Sequence, residues 1–230
     1  MLSDVGSALI LAPHADDEVL GCAGLAARLR KRGASVHVHY LAVDGFHHYG
    51  LEHETTYAER VVEVEAVAAL MDWSWEIAYG DQDLIERLDT LARRDLVDRF
   101  EAALDERRPD LLLLPSGADY DQDHVRVFET AFAAARPMPL AIGKWLTPHV
   151  LSYEAPKLGW AAAPLPRTAA HCDITGHLET KLAALRAYAS QLRADPHIRS
   201  PEAVAALAAL RGKEIGVAHA EAFEVLRTVM

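Results

Sequence analysis

Residues 8–18 read ALILAPHADDE and decide the fold of this chain. The first five are apolar and stop at Pro13, which is typical of a buried strand in a parallel sheet. A second apolar run, LLLL at residues 111–114, also stops at a proline, Pro115, and is followed by DYDQDH at residues 119–124. The sequence therefore predicts two buried strands, each followed by side chains that can bind a metal.

Helical and strand patterns alternate around these two runs. Apolar residues recur at spacings of three and four in residues 57–71, as expected of an amphipathic helix. Further helices are predicted over residues 19–32, 91–107, 178–192 and 201–210, and strands over residues 36–43, 75–79, 150–153 and 170–174. This alternation favours a single α/β domain over residues 1–230, doubly wound and Rossmann-like with a mostly parallel sheet.

The composition argues against several classes of function. The chain has 230 residues, and 34 acidic against 23 basic side chains give a formal net charge of −11, which disfavours nucleic acid and anionic membrane partners. No basic segment precedes residues 8–12, and no window approaches the roughly 20 apolar residues of a membrane span. We therefore expect a cytoplasmic protein without stable membrane insertion.

Cysteine usage limits the chemistry of any metal site. The two cysteines, Cys22 and Cys172, lie far apart and outside any CxxC pattern. This spacing predicts neither a disulfide framework nor a thiolate zinc cluster. A bound metal must therefore be held by histidine and carboxylate.

The polar residues after the two buried strands form the predicted active site. In open parallel sheets, ligands bind outside the carboxyl ends of the strands. If the two strands are neighbours, His14, Asp17 and His124 converge there, and two imidazoles with one carboxylate leave coordination positions open, as in catalytic zinc sites. Adjacent Asp16 and Asp17 do not easily point the same way, so one can ligate while the other lies beside the water.

Several segments carry the motifs of a known family. They are PHADDE at residues 13–18, LGCAG at 20–24, GDQD at 80–83, the pair Asp123–His124, SQL at 190–192 and AEAF at 220–223. Together they resemble the LmbE-like, or PIG-L, family of zinc-dependent N-deacetylases, over most of the chain. Ala15 stands where the usual motif has proline, which is a mild departure.

The resemblance implies a role for each site residue. His14, Asp17 and His124 would ligate one Zn²⁺ per chain, with another divalent metal left open, and Asp16 would be the general base. The implied reaction removes an N-acyl group, chiefly acetyl, from a small-molecule substrate such as an amino sugar or a sugar conjugate. Protonation of the leaving amine falls to Asp16 or to a histidine from a late loop.

Asp121 is the main departure from the family pattern, because many members have histidine three residues before the ligand histidine. An ionised carboxylate there would repel the negative charge of the transition state. We therefore expect Asp121 to act through a partner. It would orient a histidine, with His124 as one candidate, or accept hydrogen bonds from substrate hydroxyls.

Four further residues are candidates for substrate binding: Arg60, Asp83, His197 and His219. Arg60 and Asp83 could bind a substrate hydroxyl, although surface ion pairing explains them equally well. His197 and His219 could reach the site from late loops and are also candidates for the general acid. A loop after the second strand holds three candidates for a lid, His47, His48 and His53.

Other interpretations stay open at this stage. Asp16, Asp17 or Asp123 could serve only as helix N-caps. A magnesium-dependent phosphohydrolase also uses clustered carboxylates, although imidazole ligands favour zinc, iron or nickel, and ferrous oxygenases use a similar ligand set. A non-catalytic metal-binding or regulatory relative would explain Asp121, but it has no need of Asp16. A homo-oligomer is compatible with all of these.

Overall fold

The computed structural model describes residues 4–43, 55–80, 82–156 and 169–229. Its strands are β1 Ser7–His14, β2 Ser35–Val43, β3 Ser74–Gly80, β4 Leu111–Leu114, β5 His149–Tyr153, β6 Ala170–Asp173 and β7 Ala220–Thr228. They form a sheet in the order β3-β2-β1-β4-β5-β7-β6. Strands β1 to β5 are parallel to one another, whereas β7 runs antiparallel to both β5 and β6.

Helices cover both faces of this sheet. They are α1 Asp17–Lys31, α2 Tyr57–Met71, α3 Arg93–Arg107, α4 Gln122–Ala134, α5 Leu178–Ala187 and α6 Pro201–Glu214. The first hydrophobic core lies under α1, α2, α5 and α6, and the second lies under α3 and α4. In β1, Ile10 packs in the first core while Leu9 and Leu11 pack in the second, because successive side chains point to opposite faces.

The predicted fold class, a doubly wound α/β domain with a mostly parallel sheet, is confirmed. The extent of one domain over residues 1–230 stays a prediction. Sequence analysis missed β7, of which only the first four residues are buried, so no apolar run marks it. The helix predicted to reach residue 192 ends at Ala187, and a 3₁₀ turn at Ala189–Gln191 continues its apolar spacing. Among the described residues, no helix is long and apolar enough to cross a membrane.

Helix α1 is interrupted near its middle, and the break ties it to the end of the sheet. Cys22 has a non-helical conformation, with φ −148° and ψ 15°. The backbone N–H groups of Gly24 and Leu25 donate to the Glu221 carboxylate on β7, at 2.9 Å and 2.7 Å. Lys181 Nζ on α5 lies 2.6 Å from the same carboxylate and balances its buried charge.

Gly21 allows α1 to approach β5 closely. A Cβ atom at this position would lie 2.2 Å from Cδ2 of Tyr153, well inside van der Waals contact. The Tyr153 ring cannot simply turn away, because it is buried and its hydroxyl donates to the Leu11 carbonyl at 3.0 Å. The glycine is therefore required by the close packing between helix and sheet.

We predict that Gly21→Ala destabilises the fold. Overpacking a close-packed core costs about 1–3 kcal/mol, and the better helix propensity of alanine offsets at most about 1 kcal/mol of this. Urea unfolding followed by circular dichroism would measure the loss. Gly176→Ala is the matched control, since a Cβ atom there meets nothing within 4 Å. Equal stability of the two variants would contradict the packing role.

His37 on β2 is a buried neutral imidazole beneath α3. Its Nδ1 lies 2.8 Å from Ser74 Oγ, and its Nε2 lies 3.3 Å from Glu76 Oε1. Burial, reinforced by the charge of Arg107, lowers the pKa of His37 to about 4, although Glu76 pulls it upwards. In the unfolded chain this pKa returns to about 6.5. The unfolded state therefore binds more protons than the folded state between these two pH values.

We predict that this histidine makes the fold less stable as the pH falls from 6.5 towards 4. For a difference of one bound proton, the unfolding free energy changes by up to about 1.4 kcal/mol per pH unit. His37→Asn keeps a donor near Ser74 and does not titrate, so its unfolding free energy should vary less with pH. Urea titrations at several pH values would show this difference. Parallel pH profiles for parent and variant would rule out the assignment.

Candidate metal centre and active site

The carboxyl ends of β1 and β4 bring the candidate ligands together. These strands are direct, parallel neighbours, so their ends lie at one edge of the sheet. His14 is the last residue of β1, Asp17 is the first of α1, and His124 lies in the first turn of α4. One ligand atom from each of the three lies within 4.8 Å of the others. This is the placement that sequence analysis predicts for them.

Each candidate histidine is held on its outer nitrogen by a buried carboxylate. The Nε2–H of His14 donates to Asp123 at 2.8 Å, and Nδ1 of His124 lies 3.0 Å from Asp119 Oδ2. The inner nitrogens face Asp17 Oδ2, at 3.4 Å for His14 Nδ1 and 3.1 Å for His124 Nε2. A carboxylate that orients a ligating imidazole in this way is typical of metal sites.

The two outer carboxylates are themselves fixed by backbone donors, and sequence analysis gave neither of them this role. Asp123 accepts from the N–H groups of Glu86 and Leu88 at 2.7 Å and 2.8 Å. Asp119 accepts from the N–H of Asp121 at 3.1 Å. Asp123, considered above as an N-cap, does not cap α4. That cap is Asp121, whose Oδ1 accepts from the N–H of Asp123 at 3.0 Å.

Negative charge dominates this end of the site. Burial lowers the pKa of His14, but its hydrogen bonds with Asp123 and Asp17, together with the charges of Asp17 and Asp121, outweigh burial and raise the pKa to about 10. The cluster therefore binds positive charge strongly. A metal cation placed among the same atoms would take over the role of that proton.

Asp16 has an unusual backbone conformation in the turn between β1 and α1. Its φ is 130°, outside the region that residues other than glycine favour, and its side chain makes no capping bond to α1. Arg60 Nη2 donates to the Ala15 carbonyl, and the Asp16 N–H donates to Glu18 Oε2 at 3.2 Å. Asp17 can therefore face the histidines while Asp16 lines the adjoining cavity.

Glu18 is the buried anchor of this turn. Its Oε1 accepts from the Tyr40 hydroxyl at 3.0 Å and from the Tyr188 hydroxyl at 2.7 Å, while its Oε2 faces the backbone of Asp16. Burial raises the pKa of Glu18 to about 7, against the opposing effect of the Tyr188 hydrogen bond. The carboxyl group thus connects β2 and the end of α5 to the strand-to-helix turn.

A cavity of about 210 Å³ opens beside the cluster. Among the predicted site residues, those that line it are His14, Asp16, Asp17, Arg60, Asp121 and His197. His124 is buried behind it. Asp83 and His219 are not among its lining residues: Asp83 pairs with Arg87 at 2.7 Å on the surface, and the His219 N–H donates to Thr175. Contact of these two with substrate stays a prediction.

Arg60 and Asp121 each make contacts that define their positions. Arg60 is buried and donates to Glu63 at 2.8 Å and to Ser190 at 3.1 Å, besides the Ala15 carbonyl. Asp121 Oδ2 lies 3.8 Å from His124 Nε2, on the side of the imidazole that faces the cluster. The lid candidates, His47, His48 and His53, lie outside the described residues.

The ligand set fits zinc. Two imidazole nitrogens and one carboxylate oxygen converge, and each imidazole already has a carboxylate partner on its other nitrogen. Zinc accepts this mixture of nitrogen and oxygen ligands, whereas magnesium prefers oxygen alone. Three protein ligands leave coordination positions for water or substrate, as in catalytic rather than structural zinc sites.

Residues 9–135 match the family described as PIG-L, GlcNAc-PI de-N-acetylase. The chain belongs to this family. No curated protein matches the chain in sequence. Among solved structures, the conserved protein TT1542 from Thermus thermophilus is 24% identical with a TM-score of 0.75, and 98% of this chain and 96% of that chain are covered.

Two further structures show how widely the fold of this PIG-L chain is used. N,N'-diacetylchitobiose deacetylase from Pyrococcus horikoshii is 23% identical with a TM-score of 0.72, covering 98% of this chain and 85% of that chain. GalB, the 4-carboxy-2-hydroxymuconate hydratase from Pseudomonas putida, is 24% identical with a TM-score of 0.75, covering 97% of both. At this identity the likeness establishes the fold, and the chemistry must be argued from the site.

We predict that Asp119→Asn weakens zinc binding by about 10- to 100-fold, because a carboxylate that orients a ligand imidazole contributes this much to metal affinity. Competition with a chromophoric chelator would measure the dissociation constant. Asp98→Asn is the matched control, since this carboxylate lies on the surface of α3 beside Arg94. Unchanged zinc affinity of Asp119→Asn would show that His124 is oriented by packing alone.

Proposed function

We propose that this protein is a zinc-dependent N-deacetylase that removes an N-acetyl group from an amino sugar or a sugar conjugate. The observation that carries the proposal is the His14, Asp17 and His124 cluster with the separate carboxylate of Asp16 on the wall of the same cavity. Membership of a family described as de-N-acetylases supports the choice of reaction. The similarity to a diacetylchitobiose deacetylase supports a sugar substrate.

The metal would be held by His14 Nδ1, Asp17 and His124 Nε2, since the other nitrogen of each imidazole is engaged by a carboxylate. When bound, zinc polarises the amide carbonyl and lowers the pKa of a water molecule towards neutrality. The fixed orientation of both imidazoles limits the rearrangement needed to accept the ion.

Asp16 would be the general base. Its carboxylate takes a proton from the attacking water as the new C–O bond forms, and it then returns this proton to the nitrogen as the C–N bond breaks. The products are acetate and a free amine. Arg199 Nη1 lies 3.3 Å from Asp16 Oδ2, and its positive charge favours the ionised carboxylate that a base requires.

His197 is the second candidate for the general acid. It lines the cavity, and its Nδ1 accepts the backbone N–H of Arg199 at 3.1 Å. While Nδ1 accepts this bond, the ring hydrogen resides on Nε2 and the imidazole is neutral. To act as the general acid, His197 would have to gain a proton on Nδ1 and give up the contact with the Arg199 N–H. Asp121, which also lines the cavity, would accept hydrogen bonds from substrate hydroxyls or act on His124 through its charge.

The other interpretations are less well supported by the same atoms. The two imidazoles disfavour a magnesium-dependent phosphohydrolase. A non-catalytic relative would need only the ligand cluster, yet the backbone at Asp16 adopts a costly conformation that directs a second carboxylate to the cavity. Strain of this kind is expected where a side chain must be held for chemistry.

We predict that Asp16→Asn lowers kcat by about 10²- to 10⁴-fold while zinc content stays at the parental level, because the amide keeps the shape but cannot accept the proton. Amine release and elemental analysis on the same preparation would test both parts. Asp17→Asn is the contrasting variant, in which zinc and activity should fall together. Loss of zinc from Asp16→Asn instead would reverse the two assignments.

The substrate class is tested with a panel of N-acetylated compounds. Release of a primary amine from N-acetylated amino sugars or their conjugates is the expected result, and it should stop when zinc is removed by a chelator and return when zinc is added back. Turnover confined to phosphate esters, or hydration of an unsaturated acid without amine release, would contradict the proposed reaction.

A further inference from the structure

Two arginines, Arg193 and Arg199, lie within residues 192–200, a segment that contributes to the wall of the cavity. Arg199 lines the cavity, and its guanidinium contacts Asp16, with Nη1 at 3.3 Å from Oδ2. Charge-assisted hydrogen bonds of this type are usually about 2.7–2.9 Å long. A guanidinium has five N–H donors, and among the described residues Asp16 is the one side chain that accepts a hydrogen bond from Arg199, so other donors can bind a ligand.

Arg193 is a buried cation near Arg199. It is only 6% exposed, and among the described residues its Nε and Nη2 atoms have no hydrogen-bond partner. Burial lowers its pKa, and the positive charges of Arg199 and Arg60 lower it further, whereas Asp16 raises it. The three arginines and Asp16 therefore share one electrostatic neighbourhood.

The charges of this neighbourhood do not cancel. Arg60 is paired with Glu63 at 2.8 Å, and Arg199 is paired with Asp16. In the part of the chain that the structure describes, no carboxylate lies within ion-pair distance of Arg193. An uncompensated buried cation is unfavourable, so an anion that enters the cavity beside Arg199 would gain from both charges.

We propose that the substrate carries an anionic group, a carboxylate or a phosphate monoester, which binds Arg199 with Arg193 behind it. The inference rests on the proposed function, because it places the N-acetyl end of the same molecule at the zinc cluster. Guanidinium groups bind both anions through paired N–H donors.

The kinetic test compares three matched substrates on zinc-loaded protein. They are N-acetylglucosamine, which is neutral, N-acetylglucosamine 6-phosphate and N-acetylmuramic acid, which carries a carboxylate. We expect kcat/KM to be about 10- to 100-fold higher for at least one anionic substrate than for the neutral one, as expected for hydrogen bonds to a charged group. The two anionic substrates distinguish phosphate from carboxylate as the preferred group.

The variants Arg199→Gln and Arg193→Gln should lower this ratio of kcat/KM values towards one. The ratio is the decisive quantity, because Arg199 also contacts Asp16. A loss of activity caused by that contact would affect all three substrates equally and would cancel in the ratio. Arg199→Lys, which keeps the charge, should retain part of the preference. Arg94→Gln on the surface of α3 is the matched control and should leave the ratio unchanged. A ratio near one in the parent, or an unchanged ratio in Arg199→Gln, would overturn the proposal.

Binding without turnover separates this inference from the proposed reaction. Calorimetry would compare glucosamine 6-phosphate, muramic acid and glucosamine, which are already deacetylated. The anion site is supported if an anionic sugar binds more tightly than glucosamine and if this difference is lost in Arg199→Gln. This result would hold even if no amine is released from any substrate. Anion binding that persists in Arg199→Gln would place the anion on the zinc instead and would overturn the proposal, while leaving the deacetylase function intact.

Discussion

The candidate active site depends on one backbone constraint, the positive φ of Asp16. In the proposed function two adjacent carboxylates serve different purposes: Asp17 faces both histidines, and Asp16, with a φ of 130° between β1 and α1, lines the cavity and contacts Arg199. Such a conformation costs on the order of 1–3 kcal/mol and persists only where its surroundings enforce it. Here Arg60 holds the Ala15 carbonyl and Glu18 holds the Asp16 N–H, so both neighbouring peptide groups are fixed.

The same turn concentrates negative charge that the fold must stabilise. Helices α1 and α4 both begin at the cluster, and their N-terminal dipoles favour carboxylates such as Asp17 and Asp123. Backbone N–H groups stabilise some of these carboxylates further; those of Glu86 and Leu88, for example, donate to Asp123. The negative charge that remains explains why the pKa of His14 is raised in spite of its burial. A divalent metal held by the same atoms would also neutralise part of this negative charge.

The sequence predicts six of the seven strands, and it places the candidate ligands after two of them, because apolar runs and the polar residues that follow them are local patterns. A buried run followed by polar residues places His14 and Asp17 at the end of β1, and the next such run does the same for His124. The carboxylates behind the histidines could not be assigned, because an acidic loop does not reveal which oxygen meets which nitrogen. Residues 192–200 carry no periodic signal at all, and tertiary folding alone brings Arg193 and Arg199 to Asp16.

Position 121 shows how the charges of the cavity are divided. Asp121 caps α4 through Oδ1, a contact worth about 1 kcal/mol that histidine would not replace, and its Oδ2 remains 3.8 Å from His124. A carboxylate here strengthens the cation-binding end, since its charge contributes to the raised pKa of His14. The proposed anion site lies on another element, where Arg199 lines the same cavity and contacts Asp16. If the proposed anion site is correct, a carboxylate at position 121 adds to the cation-binding end of the cavity, while the anion of the substrate binds at residues 192–200.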